Sequence, residues 1–165
     1  METFYDAWLA AGEQAQEAFR RSPMIARDRE IPWVQTRQDA RCKLMISREQ
    51  GFPTMGSTVL KAEIPVGWHT GRHVHGEESI HILRGRGFSV IDGRRFDWHQ
   101  HSSIQIPYRA EHQHFNSVPG EPCKWLAFIY LPIWDALASN NQLTKDSPDW
   151  VAAGKASGVG RTSAR

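Results

Sequence analysis

Three things are scarce in these 165 residues, and each scarcity excludes something. The first is net charge: 20 Lys and Arg against 18 Asp and Glu leave a formal charge of +2. A dedicated nucleic-acid or anionic-membrane binder carries a strong basic excess, so neither partner is expected. The second is cysteine, with only Cys42 and Cys123. Two thiols make no disulfide framework, and both sit in apolar, strand-like runs. They read as buried thiols of a reducing compartment. The third is a long apolar run: none approaches the roughly 20 residues that cross a bilayer. The first 21 residues carry acids early and lack the basic start and apolar stretch of a signal peptide, so a soluble cytoplasmic protein is expected. The length is one domain's worth, and a unit of that size folds without help from a disulfide or a metal.

Residues 2–21 read as a helix, with Phe4, Trp8, Ala11, Ala15, Ala18 and Phe19 near helical spacing and Ser22-Pro23 as its end. Residues 23–40 are polar and interrupted by proline, with Pro32-Trp33-Val34 extended. From Arg41 the texture changes to short strands with turn signals between them: 42–47, 57–64, 79–84, 87–91, 94–98, 103–106, 111–117 and 123–131. Asp92-Gly93 between two such runs predicts a tight hairpin of the type I′ class. The pattern predicts an all-β sandwich or closed barrel. The organisation expected is a helix and extended arm over 1–40, a barrel over 41–131, and a short helix with a disordered tail over 132–165.

Histidine is where the composition becomes specific. All 8 lie between His69 and His114. His73 and His75, at i and i+2 of an extended chain, point to one face, and Glu77 or Glu78 follows at the start of the next strand. Two imidazoles and a carboxylate on one face of a metal, with other positions open, is the arrangement of non-heme Fe(II) oxygenases. In the second cluster, period two puts His112, His114 and Asn116 on one face. Of the remaining histidines, His69, His99 and His101 read as polar loop residues, and His81 alternates away from Glu78 to pack or face the opposite side.

These two segments resemble the paired motifs of the cupin superfamily. The first is Gly67, five residues, His73-x-His75, then Glu78, six residues, Gly85, with a gap before Glu78 one residue shorter than the family pattern. The second keeps the spacing of Pro107, His112 and Asn116, while His101 and Arg109 stand where the family has glycine. The resemblance covers about 41–131. It implies a cupin double-stranded β-helix, or jelly-roll barrel, with His73, His75, Glu78 and His112 as metal ligands. Glu77 is the alternate acid, and a three-histidine site remains open.

Residues 85–98 and 112–116 are similar to small cupins related to gentisate-type and other aromatic-ring dioxygenases. That resemblance implies an Fe(II)-dependent dioxygenase taking O2 and a phenolic or hydroxylated aromatic substrate; Mn, Ni, Co and Zn are alternative metals. In that reading His114 accepts a proton, Gln105 and Asn116 donate hydrogen bonds, and Arg109 holds a substrate carboxylate. Two alternatives stand beside it. One is an isomerase, lyase or decarboxylase with the metal as Lewis acid. The other is a small non-catalytic subunit of a two-component ring-cleaving dioxygenase. Unpaired strand edges of such barrels are commonly covered by subunit pairing, so a homodimer or a place in a larger hetero-oligomer is expected.

Overall fold

The computed structural model describes residues 3–138 and 141–148. Helix α1, Phe4–Arg21, starts at a capping box in which Thr3 and Asp6 satisfy each other's backbone N–H. Arg20 and Arg21 sit in its last turn, where cations suit the negative end of the helix dipole. None of its residues is buried. A single 3-10 turn, Asp28–Glu30, follows in the arm.

Among the described residues, eleven strands then form two antiparallel sheets. The first contains β1 (Val34–Thr36), β2 (Ala40–Ile46), β3 (Thr58–Ile64), β10 (Cys123–Ile129), β5 (Glu78–Arg84) and β8 (Ser103–Ile106), in the spatial order β1-β2-β3-β10-β5-β8. The second contains β11 (Gln142–Lys145), β4 (Arg72–Val74), β9 (His112–Asn116), β6 (Arg86–Ile91) and β7 (Arg94–His99), in the order β11-β4-β9-β6-β7. Helix α2, Leu131–Ala136, follows β10. This is the all-β architecture expected from the strand pattern, in the jelly-roll form that the resemblance implies.

Period-two alternation builds the core between the sheets. Ile80 and Ile82 of β5, Ala62 and Ile64 of β3, and Trp125 and Ala127 of β10 face inward with Ile106, Ile91 and Trp98. Each fully buried isoleucine contributes roughly 1.5–3 kcal/mol. A one-residue slip of β5 would turn Ile80 and Ile82 outward, so the apolar pattern fixes its register. The hairpin between β6 and β7 turns at Asp92-Gly93, with φ of 46° and 75°. Two positive φ values in succession are what a type I′ turn requires.

The arm is clamped to the outer face of the larger sheet. The amines of Lys43, Lys61 and Lys124 surround the Trp33 ring at 5.0, 5.9 and 5.8 Å from its centroid. Asp28 accepts from Lys61 at 2.8 Å. Cys42 is half-buried and Cys123 buried, and both are free thiols. Burial pushes Cys42 up to about 12 and Cys123 up to about 11, which leaves both as unreactive thiols.

Two short strands depart from the sequence expectation. β4 was not anticipated as a strand, and neither was β11, which falls in the segment expected to be a disordered tail. Both are only three or four residues long and polar, so they show no apolar alternation. They exist because they pair with each other: Gln142 lies opposite Val74 and Leu143 opposite His73. Expected disorder beyond residue 148 lies outside the described residues. No helix among the described residues is long and apolar enough to cross a membrane.

Candidate metal site

The inner face of β4 and β9 carries the histidines. His73 sits on β4, His75 just beyond its end, and His112 opens β9, paired across the ladder with His73. All three are buried. Their ligand-capable atoms lie within 4.8 Å of one another. Ring centroids of His73 and His112 are 4.1 Å apart, and those of His75 and His112 are 4.5 Å apart.

Each ring is oriented by its other nitrogen. Nδ1–H of His73 donates to the Gly71 carbonyl at 2.9 Å, that of His75 to the Gly76 carbonyl at 2.6 Å, and that of His112 to the Ala110 carbonyl at 2.9 Å. A carbonyl can only accept, so all three tautomers leave Nε2 facing the cluster. Nε2 of His112 is buried and has no hydrogen-bond partner, which is costly unless something occupies the cluster.

Glu78, on the first residues of β5, brings a carboxylate from the opposite sheet. Its Oε2 is 3.3 Å from Nε2 of His75 and 3.9 Å from Nε2 of His112. Glu77 instead points to solvent and accepts from Gln105 at 3.2 Å. The buried acid is therefore Glu78, although the gap in the motif is short.

Charge balance follows this geometry. Burial and the neighbouring imidazoles depress His73 well below its ordinary value, and burial beside His75 brings His112 down to about 4. Burial also presses on His75, but the hydrogen bond and charge of Glu78 outweigh it and raise that group. Three convergent imidazole nitrogens, two of them held neutral, beside one carboxylate make a donor set that could hold a divalent transition metal.

A chamber of about 220 Å³ opens on His75 and Glu78. Leu60, Ile129 and Trp134 give it an apolar wall. Trp134 stacks on His75 with centroids 4.4 Å apart and planes at 16°, and its Nε1–H donates to the Glu77 carbonyl. Thr36 at the end of β1, Gln38 and Asp39 of the turn before β2, and Asn141 form the polar wall. Burial and the charge of Glu78 push Asp39 up to about 7, against the opposing pull of His75 and Gln38. Asp39 escaped the sequence reading because it is one acid in a polar arm, with no local pattern tying it to the histidines.

The structure places the other expected site residues away from the chamber. Arg109 is exposed and donates to Gln142 at 3.2 Å, so its guanidinium lies at β11 and lines no part of this chamber. Gln105 is exposed too, because β8 alternation sends Ile104 and Ile106 toward the core and Gln105 out. Asn116 is buried but committed to backbone. Its amide nitrogen lies 2.9–3.2 Å from the carbonyls of Ile64, Pro65 and Glu121, and its carbonyl accepts from Val118 N–H at 2.8 Å. It ties strand ends together rather than meeting a ligand.

His114 does share the inward face with His112, at 5.5 Å between centroids. However, Nδ1 is engaged by Ser89 Oγ at 2.7 Å, and Ser89 in turn accepts from Trp98 Nε1 at 2.9 Å. The ring does not line the chamber beside Glu78. Burial and the His112 and His75 charges hold it far below its ordinary value. That geometry packs it beside the cluster, held neutral and away from the chamber. His81, His99 and His101 fall outside the cluster, as expected.

Two antiparallel sheets closed over a buried histidine cluster define a class of β-barrel with an internal cluster that could hold a metal. Residues 60–129 match the family model of the cupin domain, Cupin_2. A protein of Methanocaldococcus jannaschii described as uncharacterized is 32% identical over 77 residues, covering 46% of this chain. The match spans 61% of that relative's length. Among solved structures, the polyketide cyclase RemF from Streptomyces resistomycificus superposes with a TM-score of 0.55 at 20% identity, over 63% of this chain and 76% of that one. Salicylate 1,2-dioxygenase from Pseudoaminobacter salicylatoxidans, solved with gentisate, superposes with a TM-score of 0.57 at 14% identity, over 80% of this chain and 36% of that one. At such identities the likeness is one of fold.

Proposed function

We propose that the protein is a metal-dependent dioxygenase, with Fe(II) as its metal, acting on a small hydroxylated aromatic compound. The observation that carries this reading is the convergence of three oriented Nε2 atoms and the Glu78 carboxylate beside a chamber with an apolar wall. His73, His75 and His112 are the proposed ligands, with Glu78 completing the set. When bound, the metal supplies sites at which a substrate oxygen and O2 meet. The chain does the rest. Carbonyls of Gly71, Gly76 and Ala110 fix the ring orientations, Trp134 and Ile129 receive a flat apolar ring, and the burial of all four donors limits water. The size also fits: an apolar cavity of about 150 Å³ already accepts benzene.

A second reading keeps the metal as Lewis acid for an isomerase, lyase or decarboxylase. It is favoured by the fact that the fold also houses a polyketide cyclase. Oxygen dependence separates the two. Anaerobic reconstitution with Fe(II), followed by O2-uptake measurements against hydroxylated aromatics, is expected to give substrate-dependent uptake. Turnover that proceeds equally without O2 would transfer the assignment to the second reading. Homodimerisation, or a place in a hetero-oligomer, is part of the proposal and is read from sedimentation across concentrations.

A further inference from the structure

We propose that the ligand of the histidine site is a two-ring aromatic compound, with a hydroxylated ring in the chamber beside Glu78 and a second ring in an adjoining cleft past Trp134. This ligand class rests on the reading of the histidine cluster as a metal site, since the first ring enters beside it.

A chamber of about 220 Å³ is small for a ligand site. It takes a single ring, whereas pockets for small molecules commonly span roughly 300–1,000 Å³. A second cavity, of about 430 Å³, supplies the further room. Trp134 and Asn141 line both cavities, so the two adjoin along these side chains. Strand β3 runs from one to the other. Leu60 lines the chamber, and Thr58, two residues earlier and on the same face, lines the cleft. That step along a strand is about 7 Å. On the neighbouring strand Ile129, which lies opposite Thr58, lines the chamber, and Leu131 just beyond it lines the cleft. A compound of two linked rings matches this step, with one ring in each cavity.

The divider is fixed in place. Trp134 is buried, stacks on His75 and donates from Nε1 to the Glu77 carbonyl at 3.3 Å. Its position sets where the first ring ends and the second begins. Past it, Leu131 and Pro132 in the first turn of α2 give the cleft an apolar side. Thr54, Thr58 and Asn141 give it a polar one. Thr58 is buried, and its hydroxyl can donate or accept. Thr54 Oγ1 already donates to the Ser57 carbonyl at 2.6 Å and is left to accept. Charges of both signs, on Arg48, Glu49 and Asp135, also line the cleft. The fit therefore rests on shape and on the apolar side rather than on charge.

Calorimetric binding of phenol and para-phenylphenol to the Zn(II)-loaded and the metal-free chain tests this. The two-ring probe is expected to bind at least tenfold more tightly, as burial of a second ring requires. Two variants fill the cleft from opposite sides. Asp135 is exposed on α2, and Asp135→Trp lays an indole over the cleft. A Cβ at Gly56 would meet only Cδ1 of Tyr130 within 4 Å, at 3.4 Å, so Gly56→Leu narrows the cleft from the approach to β3. Each variant should cut the two-ring advantage by roughly fivefold or more, mainly through weaker binding of para-phenylphenol. Equal affinities for the two probes, an advantage left intact in either folded variant, or no binding of para-phenylphenol would overturn the inference. Zinc stoichiometry is measured separately. A chain that holds no zinc but keeps a cleft-dependent two-ring advantage would sink the metal assignment and leave the two-ring ligand standing.

Discussion

At the scale of single residues, the donor set makes an ordering of variants. His73 and His112 are buried imidazoles with Nε2 free, so His73→Ala or His112→Ala should strip the metal. Glu78 approaches two of the three rings, and Glu78→Ala should weaken binding without abolishing it. Metal analysis after gel filtration reads both, and stoichiometric metal in His73→Ala would remove that residue from the site. His114 makes the opposite prediction. Its Nδ1 is spent on Ser89, and it lines no part of the chamber. His114→Gln should therefore keep its metal and lose less than the roughly 100-fold that removal of a general base costs at minimum. A larger fall in turnover at full metal content would return it to the chemistry. The histidines were legible because i and i+2 spacing on a strand has one geometric meaning. For Asn116 and Arg109, spacing gives a face or a turn but not the backbone carbonyls, or the Gln142 side chain, that each meets there.

At the scale of elements, the cluster depends on close approaches that only particular residues allow. The two positions where the family motif has glycine, His101 and Arg109, adopt φ of 70° and 62° here. The backbone keeps the left-handed turn though the side chains have changed, at a cost of roughly 1–2 kcal/mol each. Gly76 is less forgiving. A Cβ at that position would sit 2.0 Å from Cδ1 of Trp134, the ring stacked on His75. Gly76→Ala should push α2 away, loosen the chamber wall and cost about 1–3 kcal/mol. Chemical denaturation checks the stability, and Trp fluorescence should report a more solvated indole. An unchanged midpoint would mean that Trp134 repositions freely. Eight strands were readable from alternation, whereas β1, β4 and β11 were not. A short polar strand is specified by its partner rather than by its own sequence, and the site is built on one of these.

At the scale of the whole molecule, a metal at the candidate site would couple the two sheets. His73, His75 and His112 belong to the smaller sheet and the loop after β4, while Glu78 belongs to β5 of the larger one. Occupancy should therefore stabilise the folded chain as a unit. A ligand at 100 times its Kd adds about 2.7 kcal/mol. For a chain of this size that raises Tm by about 5–10 °C. Acid should act against it on two counts. His112 is depressed to about 4 from an ordinary 6.5, and His73 and His114 are lowered in the same direction. A base whose folded value is depressed is held neutral by the fold. Its stabilising contribution is then complete above 6.5 and lost as pH falls toward the folded value. His75, raised by Glu78, works the other way, with its contribution lost as pH rises through its folded value. Three groups against one make the metal-free chain lose stability below about pH 6.5. The metal increment should shrink over the same range, since protons compete for the same Nε2 atoms. Thermal melts with and without added Zn(II), from neutral pH downward, read both effects together. The increment should vanish in His73→Ala and diminish in Glu78→Ala. A shift of equal size in His73→Ala would place the stabilising ion somewhere other than between the sheets.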